Sequence, residues 1–298
     1  MDPLAQARAL AGTGRFIEAL HFLDRVPQLR LTPTAVLERA ALLETVGRAA
    51  EAEHLVAQAF RSRSIETSAK ALGEYILSRI ASGEGAIDAE FKHLAGALSL
   101  AERCGDTVRA AWCQLRLVAL SADLHGPRSC EPLVRSARHT VSCTGEPHLI
   151  AALHLIVADV DGKHGLPAKG ERHVGLALSL LGRWDNVWLR SWSENTLQAL
   201  CLTQSDYPRA HTHGMRALGF AEQSGAVSAI RSASANLGHL KFCTGDFESA
   251  LKHLEAALRT SRPRSEYHLA VADSLARVKL AMGDLESGYE LVNQMESD

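Results

Sequence analysis

At 298 residues, with 46% apolar but only 5% aromatic side chains, the chain is rich in Ala and Leu and poor in the Val, Ile, Thr and aromatic residues from which a β-sandwich builds its core. A net charge of -2 gives no concentrated basic surface, so nucleic acid is not an expected direct partner. The most apolar stretch, 149–158, contains His154 and is far too short to cross a bilayer, and the opening Met-Asp-Pro-Leu-Ala has no basic region leading into an apolar run. No membrane association, no signal peptide and a cytoplasmic location are therefore expected.

Turn signals recur along the whole length, at Gly14-Arg15-Phe16, Gly47-Arg48-Ala49, Gly85-Ala86-Ile87, Gly126-Pro127, Gly165-Leu166-Pro167, Ser205-Asp206-Tyr207, Gly245-Asp246-Phe247 and Gly283-Asp284-Leu285. Successive steps are 33, 38, 41, 39, 40, 40 and 38 residues. Apolar residues between the turns repeat at three- and four-residue intervals, the helical period. The pattern predicts helical hairpins pairing 2–13 with 15–26 (stopped by Pro27), 34–46 with 48–61, 66–82 with 87–103, 107–124 with 128–143, 148–163 with 168–183, and 186–204 with 207–224. Two further hairpins span 227–261 and 265–296. Pro167 and Pro208 fall in first turns of second helices, where no amide partner is lost. One such hairpin has too little core to stand alone and must stack on its copies. With no Gly-, Pro- or Ser-rich linker, 1–298 reads as one continuous array.

The unit is clearest from Leu237 to Leu258. Gly245 is placed to close the first helix in the left-handed conformation, and Asp246 to cap the second. Phe247, Ala250, Leu251, Leu254, Ala257 and Leu258 share one face, and Gly238 and Ala250 are small where two helices must approach. Leu237, Gly238, Gly245, Asp246, Phe247, Ala250, Leu254 and Ala257 resemble the signature of a tetratricopeptide repeat. Ser234 and Lys241 stand where that family often has Trp and Tyr, and Pro263 is near its usual terminal Pro. The match is good in this unit, moderate at both ends of the chain and poor in the middle. Repeats longer than about 34 residues resemble the long-repeat arrays of large bacterial regulators.

The resemblance implies an all-α fold, a right-handed α-α superhelix of about eight hairpins, extended and curved. It implies a non-catalytic scaffold or sensor array that binds a protein or peptide segment and needs no cofactor. Such an array would belong to a larger bacterial signalling or transcriptional regulator; the alternative is a stand-alone receptor for a small ligand or signalling peptide. The last hairpin ends without a polar capping helix, leaving Tyr289, Val292 and Met295 little cover, so a longer polypeptide is expected. In tetratricopeptide arrays the first helices line the concave face. Aligned on the turn residues, that face includes Trp192, Asn195, Ser232, Ala235, His239, Asp273 and Arg277, with Asp159 earlier. A partner groove is expected at Trp192, Asn195, Asn236, His239, Asp273 and Arg277, with Arg277 pairing an acidic residue of the partner unless Asp273, one turn away on the same helix, already neutralises it. The family's carboxylate clamp is not expected, since only Asn236 corresponds to it, with Ala199, Ala270 and Ser274 elsewhere.

Residues that carry chemistry are scattered. The chain has no His-Glu-x-x-His, P-loop or nucleophile elbow, and Gly12-Thr-Gly14 and Gly83-Glu-Gly85 read as turns. No enzyme activity and no metal site are expected. His211 and His213, two apart on a helix, point about 200° apart and read as surface histidines. Cys104, Cys113, Cys130, Cys143, Cys201 and Cys243 form no C-x-x-C pair and are expected to be reduced, packed thiols. The basic loop Arg259–Arg264 reads as a solvated connection. Trp184, Trp188 and Trp192 lie four apart and form one stripe if the helix reaches back to Trp184. They serve either repeat packing or, at Trp192, a groove anchor.

Overall fold

The computed structural model describes residues 3–26, 32–182, 185–262 and 265–297. Among them are sixteen α-helices, a short 3-10 turn and no strand. They form eight hairpins: α1 (Pro3–Gly12) with α2 (Phe16–Asp24), α3 (Pro33–Thr45) with α4 (Ala49–Phe60), α5 (Thr67–Glu84) with α6 (Ile87–Cys104), and α7 (Thr107–His125) with α8 (Glu131–Thr144). The second half continues as α9 (Pro147–Lys163) with α10 (Pro167–Leu181), α11 (Val187–Thr203) with α12 (Tyr207–Ser224), α13 (Val227–Cys243) with α14 (Phe247–Arg259), and α15 (Glu266–Ala281) with α16 (Leu285–Ser297). The predicted boundaries hold to within a few residues. Repeat four is the exception: Gly126 takes φ 81 and ψ 162, a conformation open essentially to glycine alone, and a 3-10 turn over Pro127–Cys130 precedes α8, which begins later than the sequence suggests. Pro27, Trp184, Pro263 and Arg264 lie outside the described residues.

Every predicted hairpin turn has a residue at positive φ: Gly14, Gly47, Gly85, Gly126, Ser205, Gly245 and Gly283, and Gly165 among them. Ser205, at φ 57, is the one non-glycine with positive φ among the described residues. A Cβ costs roughly 1 kcal/mol in that conformation. Ser205→Gly is expected to raise stability by about 0.5–1 kcal/mol, read as a higher urea midpoint with unchanged slope. Aspartates then start the second helices: Asp206 accepts from the Arg209 amide at 3.2 Å and Asp246 from the Ser249 amide at 3.3 Å.

Four residues past each turn's capping position the chain places a small buried side chain against the first helix. Ala19, Ala52, Gly170, Ala210, Ala250 and Gly288 occupy this place. Repeat three puts the buried carboxylate Glu90 there. Gly238 makes the close approach expected of it, but to Leu254: a Cβ at Gly238 would lie 2.6 Å from the Leu254 Cγ.

The array curves more tightly than an extended solenoid. The Val187 amide donates to the Thr13 carbonyl at 3.0 Å, and the Asn186 side-chain amide donates to the Gly12 carbonyl at 2.8 Å. Phe16 meets Trp188 edge-on at 6.1 Å. Further along, Ile17 lies against Gly225, Val227 against Gly47, and Arg262 pairs with Glu84. The first three repeats thus rest on the last three, and the superhelix closes after about five repeats.

Candidate binding cavity inside the superhelix

Closure leaves a half-open cavity of about 620 Å³ between the C-terminal ends of α3, α5 and α7 and the N-terminal ends of α13 and α15. Four arginines line it: Arg79, Arg116, Arg231 and Arg262. Three of them meet carboxylates. Arg79 Nε donates to Glu44 Oε2 at 2.6 Å, and that carboxylate holds the guanidinium's pKa above its ordinary value. Arg116 Nε donates to Glu90 Oε1 and its Nη2 to Ser82 Oγ, both at 2.6 Å. Arg262 pairs with Glu84 across the closure. Asp123, also on the wall, is held by Lys163 at 2.5 Å.

Arg231 differs. Its Nη1 donates to the Thr260 carbonyl at 3.3 Å, and its guanidinium carbon sits 4.6 Å from the centre of the Tyr267 ring. No carboxylate pairs with it among the described residues, and its Nε is buried without a hydrogen-bond partner. Burial pushes its pKa down, the reverse of the effect at Arg79, and pushes that of Tyr267 up to about 12. The Tyr267 hydroxyl donates to the Arg231 carbonyl at 3.0 Å, fixing α13 against α15.

Of the residues expected to form the groove, Asn236, His239, Asp273 and Arg277 fall on α13 and α15, which wall the cavity, whereas Trp192 and Asn195 fall on α11, which does not. Asn236 Nδ2 donates to Asn195 Oδ1 at 3.0 Å, joining α13 to α11. Asp273 and Arg277 form an ion pair at 2.9 Å along α15. Trp192 is half-buried, its ring 5.7 Å from Trp188, which in turn lies 5.9 Å from Trp112. His239 is exposed, with Nε2 3.7 Å from Cys243 Sγ. Two pairs are therefore brought together, while Trp192 and His239 stand apart. Arg231 is one helical turn before Ala235, and Ala270, on the cavity wall, is one turn before Asp273, so the cavity opens at the N-terminal end of this face.

Other expectations change. His213 is no surface histidine: it is half-buried, with Nδ1 2.6 Å from Glu194 Oε2, whereas His211 is exposed. Cys104, Cys143 and Cys243 are exposed and only Cys113, Cys130 and Cys201 are packed; all six are free thiols. Helices expose one face, and three of the cysteines fall on it. The basic loop is not merely solvated, because Arg262 ties it to α5. The sequence reading missed Arg79, Arg116, Arg231 and Glu90. Glu90 carried a signal, a carboxylate at a position that is small and buried in six other repeats.

A second polar cluster lies between α9 and α10, where His154 Nδ1 and His173 Nδ1 approach to 3.0 Å. One ring must donate and the other accept, so the contact needs at least one neutral imidazole. Burial lowers both pKa values; for His154 the neighbouring His173 adds to this, and for His173 the nearby Asp161 opposes it. The folded chain takes up these protons at lower pH than the unfolded chain, whose imidazoles titrate near about 6.5. Stability is thus complete above that value and lost as pH falls through the folded values. Melting temperature is expected to fall between about pH 7 and 5, and by less in His154→Gln. Part of the slope persists in that variant because burial also holds His148 and His253 down.

No family model matches the chain, and no curated protein matches it. Solved structures do. A Rap protein complexed with competence and sporulation factor superposes with TM-score 0.69 at 12% identity, over 95% of this chain and 80% of that one. A chain of the APC/C hetero-tetramer Cut9-Hcn1 gives 0.68 at 14% identity, over 99% of this chain and 52% of that one. A signal-transduction ATPase with numerous domains and a tetratricopeptide repeat sensor, from Pyrococcus horikoshii, gives 0.52 at 17% identity, over 93% and 43%. The fold is that of the tetratricopeptide-like repeat proteins, a right-handed α-α superhelix. Among the described residues no helix is long and apolar enough to cross a membrane, and no group of three His, Cys, Asp or Glu residues is placed to hold a metal ion.

Proposed function

We propose that residues 1–298 form one non-catalytic, cytoplasmic receptor array that holds a peptide or protein segment along its inner face, as the sensing part of a larger bacterial signalling or transcriptional regulator. The observation that carries this reading is the half-open cavity inside the closed superhelix, walled in part by α13 and α15, the helices that also bear Asn236, Asp273 and Arg277. Asn195 and Asn236 use one donor and one acceptor on each other and keep the rest of their amide groups for a ligand backbone. Trp192 offers a half-buried ring to an apolar side chain. The likeness to a Rap protein complexed with competence and sporulation factor, and to a repeat array described as a sensor, supports the same reading.

Panning the purified chain against random dodecapeptides, followed by calorimetry of retained sequences, tests it. Trp192→Ala and Asn195→Ala are each expected to weaken a retained peptide by about 1–3 kcal/mol. Retention of no peptide, or equal affinity in both variants, contradicts the reading. The volume of the cavity, about 620 Å³, favours a second reading, a stand-alone receptor for a small ligand. Thermal protection by a small molecule, with no peptide retained, is its expected signature.

A further inference from the structure

We infer that the cavity is a carboxylate-binding site centred on Arg231, and that it receives one carboxylate of the bound peptide, an Asp or Glu side chain or the C-terminus. The inference rests on the peptide reading above and specifies the chemistry of its ligand.

A guanidinium taken out of water without a carboxylate beside it is strongly disfavoured, because neither a carbonyl nor a ring face replaces its lost hydration in full. Arg231 has one carbonyl contact, one aromatic face and a buried, unpartnered Nε. The neighbouring wall positions on α13, Val227 and Ser228, carry no charge.

Charge on the cavity wall then selects the ligand. Glu44 offsets Arg79, Glu90 offsets Arg116 and Glu84 offsets Arg262, while Lys163 is shared between Asp123 and Asp159. Among the described residues, Arg231 is therefore the one wall arginine without a carboxylate partner. A single carboxylate matches that one unpaired guanidinium, whereas a phosphate dianion brings a second negative charge beside Glu44 and Asp123, which already line the wall. The guanidinium also suits a planar two-oxygen acceptor, which can take two parallel N–H donors. The ring of Tyr267 lies over the guanidinium, its centre 4.6 Å from the guanidinium carbon.

Two measurements on the full chain test this. In the first, thermal unfolding is followed in sodium acetate, sodium phosphate and sodium chloride at equal ionic strength, for the wild type and Arg231→Met. Acetate is expected to raise the wild-type midpoint by about 2 °C over chloride, and not to raise that of the variant. Protection by phosphate alone, or equal protection of both proteins by acetate, overturns the assignment. In the second, dodecapeptide pools free of Asp and Glu are compared in amidated and free C-terminal forms, alongside an amidated pool containing one Asp. The wild type is expected to retain the free-carboxylate or the Asp pool at least tenfold over the neutral one, and that pool identifies the source. Arg231→Met is expected to lose the preference. Equal retention of the neutral pool overturns the carboxylate site and leaves the peptide receptor standing. Retention of no pool overturns the peptide receptor, and the acetate result still decides whether the anion site exists.

Discussion

Replacing Trp188 with Ala is expected to cost about 3 kcal/mol, the usual scale for emptying a large aromatic site, and to release the first repeat from the sixth. The ring sits at a junction: Phe16 meets it edge-on at 6.1 Å, Trp112 lies 5.9 Å away and Trp192 5.7 Å away. In an open solenoid each repeat touches only its neighbours, and a lesion in repeat six leaves repeat one untouched. Here the backbone of Gly14 lies against the Trp188 backbone, so α1 and α2 rest directly on the start of α11. The expected signature is therefore twofold. The urea midpoint falls, and the single transition of the wild type splits, with α1 and α2 melting first. A midpoint change with repeat one as protected as before contradicts the junction role.

Arg116→Met is expected to cost about 3–5 kcal/mol, the scale for stripping the partner from a buried charge. Glu90 is only 3% exposed, and its carboxylate meets the Arg116 Nε at 2.6 Å. Without that guanidinium it is an uncompensated buried anion. The reverse deletion is expected to be mild, because Ala occupies the equivalent place in repeats one, two, six and seven and fits it. Arg116 would remain hydrogen-bonded to Ser82 and partly in water. Glu90→Ala with Arg116→Met should therefore recover most of the loss. Equal costs for the two single substitutions in chemical denaturation would show that the pair, and not the burial of Glu90, sets the energy.

These outcomes depend on features that the sequence showed unevenly. The hairpins were legible because their causes are local: glycine at a left-handed turn, an aspartate cap, and small residues where helices touch. Ser205 was legible as a turn even without glycine, because Asp206 and Pro208 mark the helix that follows it. The pairing of Asp273 with Arg277 was one of the two outcomes that their i,i+4 spacing on one helix left open. Closure was not readable. Thr13 and Val187 are far apart in sequence, and nothing local in either predicts that they meet; their contact follows from small rotations summed over five repeats. The arginines of the cavity were hidden with it. Arg79, Arg116 and Arg231 look like polar residues on amphipathic helices until the superhelix turns those faces toward one another. Glu90 was the exception, detectable as a charge in a column of alanines and glycines.

The amide of Val187 reports on that closure. It is the first residue of α11, and first-turn amides have no acceptor within their own helix. In an open array it exchanges with solvent at nearly the rate of an unstructured chain. In the closed superhelix it donates to the Thr13 carbonyl at 3.0 Å. Residue-resolved hydrogen exchange on the wild type and Trp188→Ala is the measurement. Strong protection of Val187 in the wild type, lost in the variant while amides in the middle of α11 stay protected, is the expected result. Fast exchange of Val187 in the wild type would mean that repeat one does not rest on repeat six, and that the cavity does not form.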